Sequence, residues 1–167
     1  LGNSAFSACS QLREIALPDN ISEISEYAFS NCLQLQELTL PKGVVSIGDF
    51  AFRGCSSLQS LALPSSLTQI GTAAFERCSL LRSANLPSAI ETIEAMVFFN
   101  CTSLEELTLP DHVRSLGYMA LGNCTSLQAI TLPASLQTMD TYALTGCSGL
   151  KAIEVAAENR SYRSLDG

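Results

Sequence analysis

The stretch from Cys32 to Pro41, CLQLQELTLP, decides the fold of this chain because its pattern returns every 23 residues. All seven cysteines of the chain lie at this step, and so do all six prolines. A period this strict means that the chain is built from stacked copies of one small unit. The cysteines are Cys9, Cys32, Cys55, Cys78, Cys101, Cys124 and Cys147, and the prolines are Pro18, Pro41, Pro64, Pro87, Pro110 and Pro133.

We number each unit, or coil, from its cysteine as position 0. Position 3 is leucine in every coil, positions 6 and 8 are aliphatic, and proline follows at position 9 in the first six coils. This alternation predicts a short strand with positions 5 and 7 pointing outward, ended by a proline that cannot donate to a sheet. The pattern predicts a leucine-rich-repeat solenoid, a right-handed curved coil with a parallel β-sheet on its concave face.

The second half of each coil has its own pattern. Positions 12 and 15 are mostly aliphatic, and positions 19 and 20 hold a pair of the Ala28-Phe29 type. Position 16 holds residues such as Ser25 that suit a helix N-cap, and position 22 is often Asn or Gly, which tolerate a left-handed turn. We therefore expect a single helical turn between positions 16 and 22. Positions 12 to 15 are either a short second strand or part of that turn, so the convex side is expected to carry short strands, turns or single helical turns.

The period divides the chain into two parts. Residues 1–155 are expected to form a seven-copy solenoid that starts in mid-repeat, because Leu1 falls on the column of Ile24. Residues 156–167 are expected to form an irregular C-terminal repeat, a cap or a junction, in which Ala156 replaces the proline and Asn159 the position-12 aliphatic residue. The chain also ends before a further period is complete. It is expected to be a fragment of a longer protein.

Composition excludes several partners. The net charge is −7 and the nine basic residues are scattered, whereas a nucleic-acid surface needs clustered Lys and Arg. An anionic membrane surface is disfavoured for the same reason. No stretch approaches the roughly 20 apolar residues of a membrane span, so membrane insertion is not expected. The chain shows no signal peptide.

The candidate chemistry is sparse. Neighbouring cysteines of stacked coils lie within reach of a disulfide ladder or a metal strip, but their odd number and the lack of any Cys-x-x-Cys favour a structural column of free thiols. His112 is the only histidine and has no second ligand at zinc spacing and no evident triad. The pair Glu105-Glu106 is interpreted as a solvated surface rather than an acid–base pair. We predict no catalytic residue, no metal, no cofactor and no enzymatic activity.

The repeat resembles a known family. The segments Cys32 to Pro41 and Ala51-Phe52-Arg53-Gly54-Cys55 are similar to the BspA-like leucine-rich repeats, also called the Treponema pallidum type. The resemblance implies an exported bacterial protein, located at the cell surface or in the periplasm or outer membrane. It implies a non-catalytic module for cell adhesion or protein binding. The alternative is a structural spacer or assembly segment that displays another domain and binds nothing itself.

The outward face of the sheet is where a protein or extracellular-matrix ligand is expected to bind, because a solenoid presents it as one extended surface. It is polar and poor in aromatic residues, which favours modest affinity. Ala84 replaces the usual Leu or Ile of position 6, so either a shallow dent opens there or the neighbours repack. The candidate binding residues are Gln59, Ser60, Arg82, Ser83, Ala84, Asn85, Glu105, Glu106, Thr108 and Gln128.

The turn side of coils 4 and 5 gains apolar bulk. Met96, Phe99, Tyr118 and Met119 stand there, and Phe99 replaces a polar residue of earlier coils. Packing within the coil explains part of this. We also expect an exposed apolar patch that supports weak self-association.

Overall fold

The computed structural model describes residues 1–164 as a solenoid whose successive coils are joined by parallel strands, which confirms the predicted fold. These residues contain twelve short strands and no helix. Accordingly, none of them forms a helix that is long and apolar enough to cross a membrane. The last three residues of the predicted irregular repeat, 165–167, lie outside the described residues.

One set of strands, called the front strands here, occupies positions 5 to 7 of coils 2 to 7. The partner of each residue lies 23 residues along the chain, as in Leu38 with Leu61 and Ile130 with Ile153. In coils 2 to 5 the middle residue is buried and its two neighbours are exposed, as the alternation predicted. The front strands are β2 (Glu37–Thr39), β4 (Ser60–Ala62), β6 (Ser83–Asn85), β8 (Glu106–Thr108), β10 (Ala129–Leu132) and β12 (Ala152–Val155).

A second set, the side strands, settles the question left open at positions 12 to 15. Positions 14 and 15 form a two-residue strand in each of six coils. These strands pair in two parallel sheets, β1-β3-β5 and β7-β9-β11. The side strands are β1 (Glu23–Ile24), β3 (Ser46–Ile47), β5 (Gln69–Ile70), β7 (Thr92–Ile93), β9 (Ser115–Leu116) and β11 (Thr138–Met139).

Rows of identical side chains fill the space inside the coils. The phenyl rings of Phe29, Phe52, Phe75 and Phe98 are fully buried at position 20. Consecutive rings stack with centroids 5.4 to 5.6 Å apart and planes within 13° of parallel. Each coil therefore buries its apolar side only against the coils above and below it, which makes the core a property of the stack and not of one coil.

The expectation of a helical turn between positions 16 and 22 was wrong. Positions 18 and 22 adopt positive φ, 56° at Tyr27 and 59° at Asn31, and this breaks the run of helical dihedrals. Amide groups of this segment donate to the next coil instead, as Phe29 N does to the carbonyl oxygen of Ala51 at 2.8 Å. The convex side is therefore a series of stacked tight turns. The expected left-handed residue at position 22 is confirmed, at Gly54 among others.

The interpretation of position 16 as a helix N-cap was wrong for the same reason. A Cβ atom added to Gly48 would lie 2.7 Å from the backbone nitrogen of Glu26 in the preceding coil. A Cβ atom on Gly117 would lie 2.8 Å from the nitrogen of Ala95. Glycine at these two positions allows adjacent backbones to approach closely, and no helix begins there.

Replacing Arg77 by asparagine is expected to stabilise the protein. Arg77 has a φ of 61°, a region that costs an ordinary side chain about 1 kcal/mol and that asparagine tolerates. The substitution gives up a contact of 3.4 Å from Arg77 Nε to Glu76, but the arginine side chain is largely exposed and such pairs contribute little. We expect Arg77→Asn to raise the urea midpoint by the equivalent of about 1 kcal/mol. A lower midpoint would show that the ion pair outweighs the backbone strain.

The irregular tail packs onto coil 6 through one buried side-chain amide. Asn159 Nδ2 donates to the carbonyl oxygens of Pro133 and Leu136, at 2.7 and 3.2 Å. Asn159 Oδ1 accepts from the backbone amides of Ser161 and Tyr162, both at 2.8 Å. The polar residue at position 12 thus replaces an aliphatic contact with four hydrogen bonds. That residues 156–167 serve as a cap or junction stays a prediction.

Candidate partner-binding surface

The outward residues of the front strands and of the position just before them form one surface, called the strand face here. It consists of positions 4, 5 and 7 of each coil, while position 6 of coils 2 to 6 points into the core. All the candidate binding residues except Ala84 are exposed on it, namely Gln59, Ser60, Arg82, Ser83, Asn85, Glu105, Glu106, Thr108 and Gln128. The parallel register brings equivalent members of neighbouring coils side by side.

Ala84 lies beneath this surface. Its side chain is only 2% exposed, and its backbone pairs with Leu107 in the next front strand. Leu61 and Leu107, which flank it, are each 6% exposed. Any recess above Ala84 is therefore shallow, and its role in binding stays a prediction.

A groove of about 640 Å³ lies on the strand face between coils 5 and 6. Its acidic side is formed by Glu105, Glu106 and Asp111. Ala129, Pro133 and Ala156 also line it and are small or apolar. Sequence reasoning selected four of the lining residues from the strand-face pattern but did not foresee that they border a groove.

The groove coincides with a break in the backbone ladder. At position 4, the amide of each coil donates to the carbonyl oxygen of the preceding coil at 2.8 to 3.3 Å, as Lys151 N does to Gln128 O at 2.8 Å. Among residues 1–164 the pair formed by Gln128 N and Glu105 O is the exception, since neither atom has a hydrogen-bond partner. The front strands β8 and β10 are not joined in one sheet, and neither are β4 and β6, where the position-4 bond is present.

A second groove, of about 860 Å³, runs along the side strands of coils 2 to 4. It is also acidic, with Asp49, Glu91 and Glu94 among its lining residues. Glu91 is paired with Arg114 at 3.7 Å, and Asp49 Oδ1 accepts from the amide of Thr72 at 2.7 Å. Two of its carboxylates are therefore already engaged within the chain.

The expected apolar patch on the turn side is only partly open. Phe99 is half-buried, and its ring fills the space beside Gly122, where an added Cβ atom would lie 2.9 Å from the ring. Met96 and Met119 are also half-buried. Tyr118 is 41% exposed and meets the ring of Tyr142, which is 50% exposed, edge to face at 5.8 Å.

Sequence reasoning missed a buried charge. Glu76 is 5% exposed and is held by Arg53 at 2.8 Å, while Arg53 also lies over the ring of Phe50. The signal was present, because Arg53 and Glu76 occupy the same position of adjacent coils. Opposite charges 23 residues apart are neighbours in this fold. The pair stabilises the turn side. It stands at position 21 of its coils and is not part of the strand face.

The cysteines form a column of thiols on the inside of the coils. The Cys55 and Cys78 thiols are fully buried and donate to the carbonyl oxygens of Phe29 and Phe52, at 3.2 and 3.3 Å. Burial, reinforced by the neighbouring Cys9, raises the pKa of the Cys32 thiol to about 11. Burial alone raises the pKa of Cys101 to about 12. These thiols are neutral hydrogen-bond donors at physiological pH, unlike the thiolates that bind metals or attack disulfides.

Burial of the column predicts three classes of thiol reactivity. Cys9 is exposed and Cys147 is half-buried, because each lies in an end coil of the described stack, and the five cysteines between them are buried. In the native protein a thiol reagent such as DTNB should therefore modify Cys9 rapidly and Cys147 slowly. The remaining five cysteines should react only after unfolding in denaturant. Rapid modification of three or more thiols in the native protein would contradict the buried column.

Other reactive groups do not converge. Among residues 1–164 no group of three or more His, Cys, Asp or Glu side chains is placed to hold a metal ion. His112 is exposed in the loop after Pro110. The described residues thus offer surfaces for recognition and no clustered chemistry.

The chain matches one family model and several solved structures. A family model described as BspA type leucine rich repeat region, in six copies, matches residues 1–101 and 73–164. A search of curated proteins found no match.

Solved structures match most of the stack. A leucine-rich-repeat protein of T. pallidum is 31% identical, with a TM-score of 0.80 over 83% of this chain and 67% of its own. One from Bacteroides ovatus is 28% identical, with a TM-score of 0.69 over 92% of this chain and 52% of its own. One from Eubacterium ventriosum is 27% identical, with a TM-score of 0.60 over 77% of this chain and 41% of its own. The chain thus spans about half of the last two proteins.

Proposed function

Because the chain belongs to the BspA-type leucine-rich-repeat family, we propose that it is a non-catalytic module that binds a protein or extracellular-matrix partner through its strand face. Leucine-rich-repeat proteins are in general protein-interaction modules. The observation that carries the proposal is the continuous row of exposed side chains at positions 4, 5 and 7, held in register by the front strands. A rigid, extended surface of this kind suits a partner that is itself extended.

The character of the strand face supports a contact of modest affinity. Its central residues, such as Ser60, Ser83 and Asn85, are small and polar, and no aromatic side chain stands among the candidate binding residues. Tight interfaces usually depend on a few buried aromatic or arginine anchors. Affinity is therefore expected to come from many weak contacts along several coils.

The site of action that goes with this function is the outside of a bacterial cell. Members of the family that the repeat resembles are mostly regarded as exported adhesion or interaction proteins. We therefore place the protein at the cell surface or in the periplasm or outer membrane. The five buried free thiols are compatible with an oxidising compartment, because burial keeps them from reacting.

A matched pair of substitutions tests the strand face. Ser83 and Ser88 belong to the same coil and are both exposed, but Ser83 lies on the strand face and Ser88 in the loop after Pro87. Binding of the purified chain to a panel of purified extracellular-matrix proteins would be measured by surface plasmon resonance. Ser83→Arg should weaken binding to any partner at least tenfold, while Ser88→Arg should leave it unchanged. Equal binding by both variants would show that the strand face is not the site, and no binding to any panel member would favour a spacer.

Ala84 is included in the proposed surface as the floor of a shallow dent. Restoring the repeat by Ala84→Leu would fill the space under Arg82, Ser83 and Asn85. If the dent takes part in recognition, Ala84→Leu should weaken partner binding severalfold while the fold stays intact by circular dichroism. Unchanged binding would show that Ala84 affects only how the neighbouring core side chains pack.

We also propose weak self-association through the turn side, at Met96, Phe99, Tyr118 and Met119. The observation that favours it is the exposed pair of Tyr118 and Tyr142, two large aromatic rings on the turn side. Tyr118→Ser is the better test, because Phe99 also packs within the chain. Analytical ultracentrifugation at high protein concentration should show less association for Tyr118→Ser. Identical sedimentation of the variant and the parent would remove this surface from consideration.

A further inference from the structure

We propose that the groove between coils 5 and 6 of the strand face binds an extended peptide segment that carries lysine or arginine side chains. This inference rests on the proposed function, since it names the chemistry of the partner for one part of the strand face. Three independent features of the groove support it: its unpaired carboxylates, its unpaired backbone groups and its small apolar floor.

The carboxylates are free to pair with a partner. Glu105, Glu106 and Asp111 are exposed and line the same groove. None of them takes part in an ion pair among the described residues. In the ion pairs that form there, the acidic partner is Glu76 or Glu91. Three unneutralised carboxylates on one groove create a local negative potential that attracts cationic groups and repels phosphate. A nucleic acid or a phosphorylated ligand is therefore disfavoured at the same place.

The unpaired backbone groups favour a peptide over a small cation. Glu105 O and Gln128 N are the acceptor and the donor left over by the break between β8 and β10. Backbone polar groups that lack an intramolecular partner are satisfied by water or by a ligand. A peptide in extended conformation carries both a donor and an acceptor at each residue, so its main chain can bond to this pair while its side chains reach the carboxylates.

The floor of the groove suits long basic side chains. Ala129, Pro133 and Ala156 leave room where larger residues would fill the groove, and they present apolar atoms. Lysine and arginine can lay their methylene stems on such a surface while the charged end reaches an exposed carboxylate. Shape and charge thus select the same type of side chain.

Two basic residues stand next to the groove, Arg82 one coil before Glu105 and Lys151 one coil after Gln128, and Lys151 gives a signed control. Lys151 Nζ donates to Gln128 Oε1 at 3.4 Å, next to the groove. Its positive charge should repel a basic peptide. Removing it by Lys151→Gln is therefore expected to strengthen binding, by roughly two- to threefold for one exposed charge contact.

The test uses a defined probe, the peptide Ac-TKTKTKTKT-NH2 with a fluorescent label. In extended conformation all its lysines point to one side, with successive lysines about 7 Å apart. Fluorescence anisotropy should show binding at low ionic strength that weakens as NaCl is added, because salt screens exposed charges. The same peptide with glutamate in place of lysine should not bind.

Two triple variants with the same change in net charge locate the site. Glu105→Gln/Glu106→Gln/Asp111→Asn removes the groove carboxylates and should weaken peptide binding roughly tenfold, as expected for three exposed charge pairs. Glu23→Gln/Glu26→Gln/Glu94→Gln removes three exposed carboxylates that lie off the strand face and should weaken it less than twofold. All six residues are exposed, so both variants should fold, as circular dichroism would verify. The single variant Asp111→Asn provides a milder version of the same test.

Two results would overturn the inference: equal loss of binding in both triple variants, which indicates attraction to net charge alone, or no binding of the lysine peptide at low salt. Neither result decides the proposed function, which depends on the pair Ser83→Arg and Ser88→Arg. If partner binding remains sensitive to Ser83→Arg while the peptide fails to bind, the basic-peptide groove is refuted and the strand face stands. If partner binding is insensitive to Ser83→Arg, the proposed function itself fails.

Discussion

Raising the pH above about 9 is expected to unfold this protein steeply, because its buried thiols must stay neutral. Five of them are fully buried, and desolvation raises the pKa furthest above the ordinary value of 9.0 in four, Cys55, Cys78, Cys101 and Cys124. Below pH 9 the thiols are protonated in both the folded and the unfolded state, so their contribution to stability is fully present. As the pH rises above 9, only the unfolded chain loses these protons, and the free energy of unfolding falls.

The expected slope is large. Each thiol that ionises only on unfolding lowers the free energy of unfolding by about 1.4 kcal/mol per pH unit. Four such thiols give a slope of about 5 kcal/mol per pH unit above pH 9, from the same relation. A domain with about 5–15 kcal/mol of stability would then unfold between about pH 10 and 12. Urea denaturation at a series of pH values, followed by circular dichroism, measures this slope.

Single substitutions separate the thiols from other groups that titrate at high pH. Cys78→Ala should reduce the slope by about 1.4 kcal/mol per pH unit, because one buried thiol is gone. Cys9→Ala should leave the slope unchanged, since Cys9 is exposed. If Cys78→Ala has the same slope as the parent protein, the alkaline instability does not come from the thiol column.

Truncating one ring of the phenylalanine row is expected to destabilise the whole stack. Phe52 is fully buried and stacks on Phe29 at 5.4 Å and on Phe75 at 5.4 Å, so Phe52→Ala leaves a cavity between two rings. Such a truncation costs about 3–5 kcal/mol. Phe52→Leu should cost under about 2 kcal/mol, because shape-compatible apolar residues are tolerated better. The chain itself places Leu121 at the equivalent position of a later coil.

Chemical denaturation of the two variants measures the difference. The expected result is a much lower midpoint for Phe52→Ala than for Phe52→Leu. Similar midpoints for both would mean that the row does not pack as one continuous core. A large loss in both would indicate that the aromatic stacking itself, rather than the filled volume, holds adjacent coils together.

The front strands could be predicted from the sequence because the alternation at positions 5 to 8 has one simple physical meaning. Leu38 is inward and Thr39 outward, as a strand with one buried face requires. The convex side could not be predicted in the same way. Tyr27 and Phe50 adopt positive φ although neither is Gly or Asn. The residue type at this position therefore does not predict the turn that replaces the expected helix. There, hydrogen bonds between coils outweigh local propensity.

The binding surface could be predicted as a list of exposed residues but not as a shape. Ser83 and Thr108 were identified because they occupy outward positions of the repeat. The groove coincides with the missing hydrogen bond between Gln128 N and Glu105 O, and the period says nothing about such a local irregularity. The buried ion pair of Arg53 and Glu76 was visible in principle, once residues one period apart are treated as neighbours.

The central claim is that equivalent residues of successive coils line up in continuous rows, and the sulfur atoms test it most directly. Crystals of the chain, with diffraction data collected at a long wavelength, would give one anomalous peak for each of the seven cysteine sulfurs. The account predicts that these peaks form a single row with steps of about 5 Å, the spacing of strands in a sheet. Cysteine sulfurs scattered through the molecule, without a common row, would contradict it.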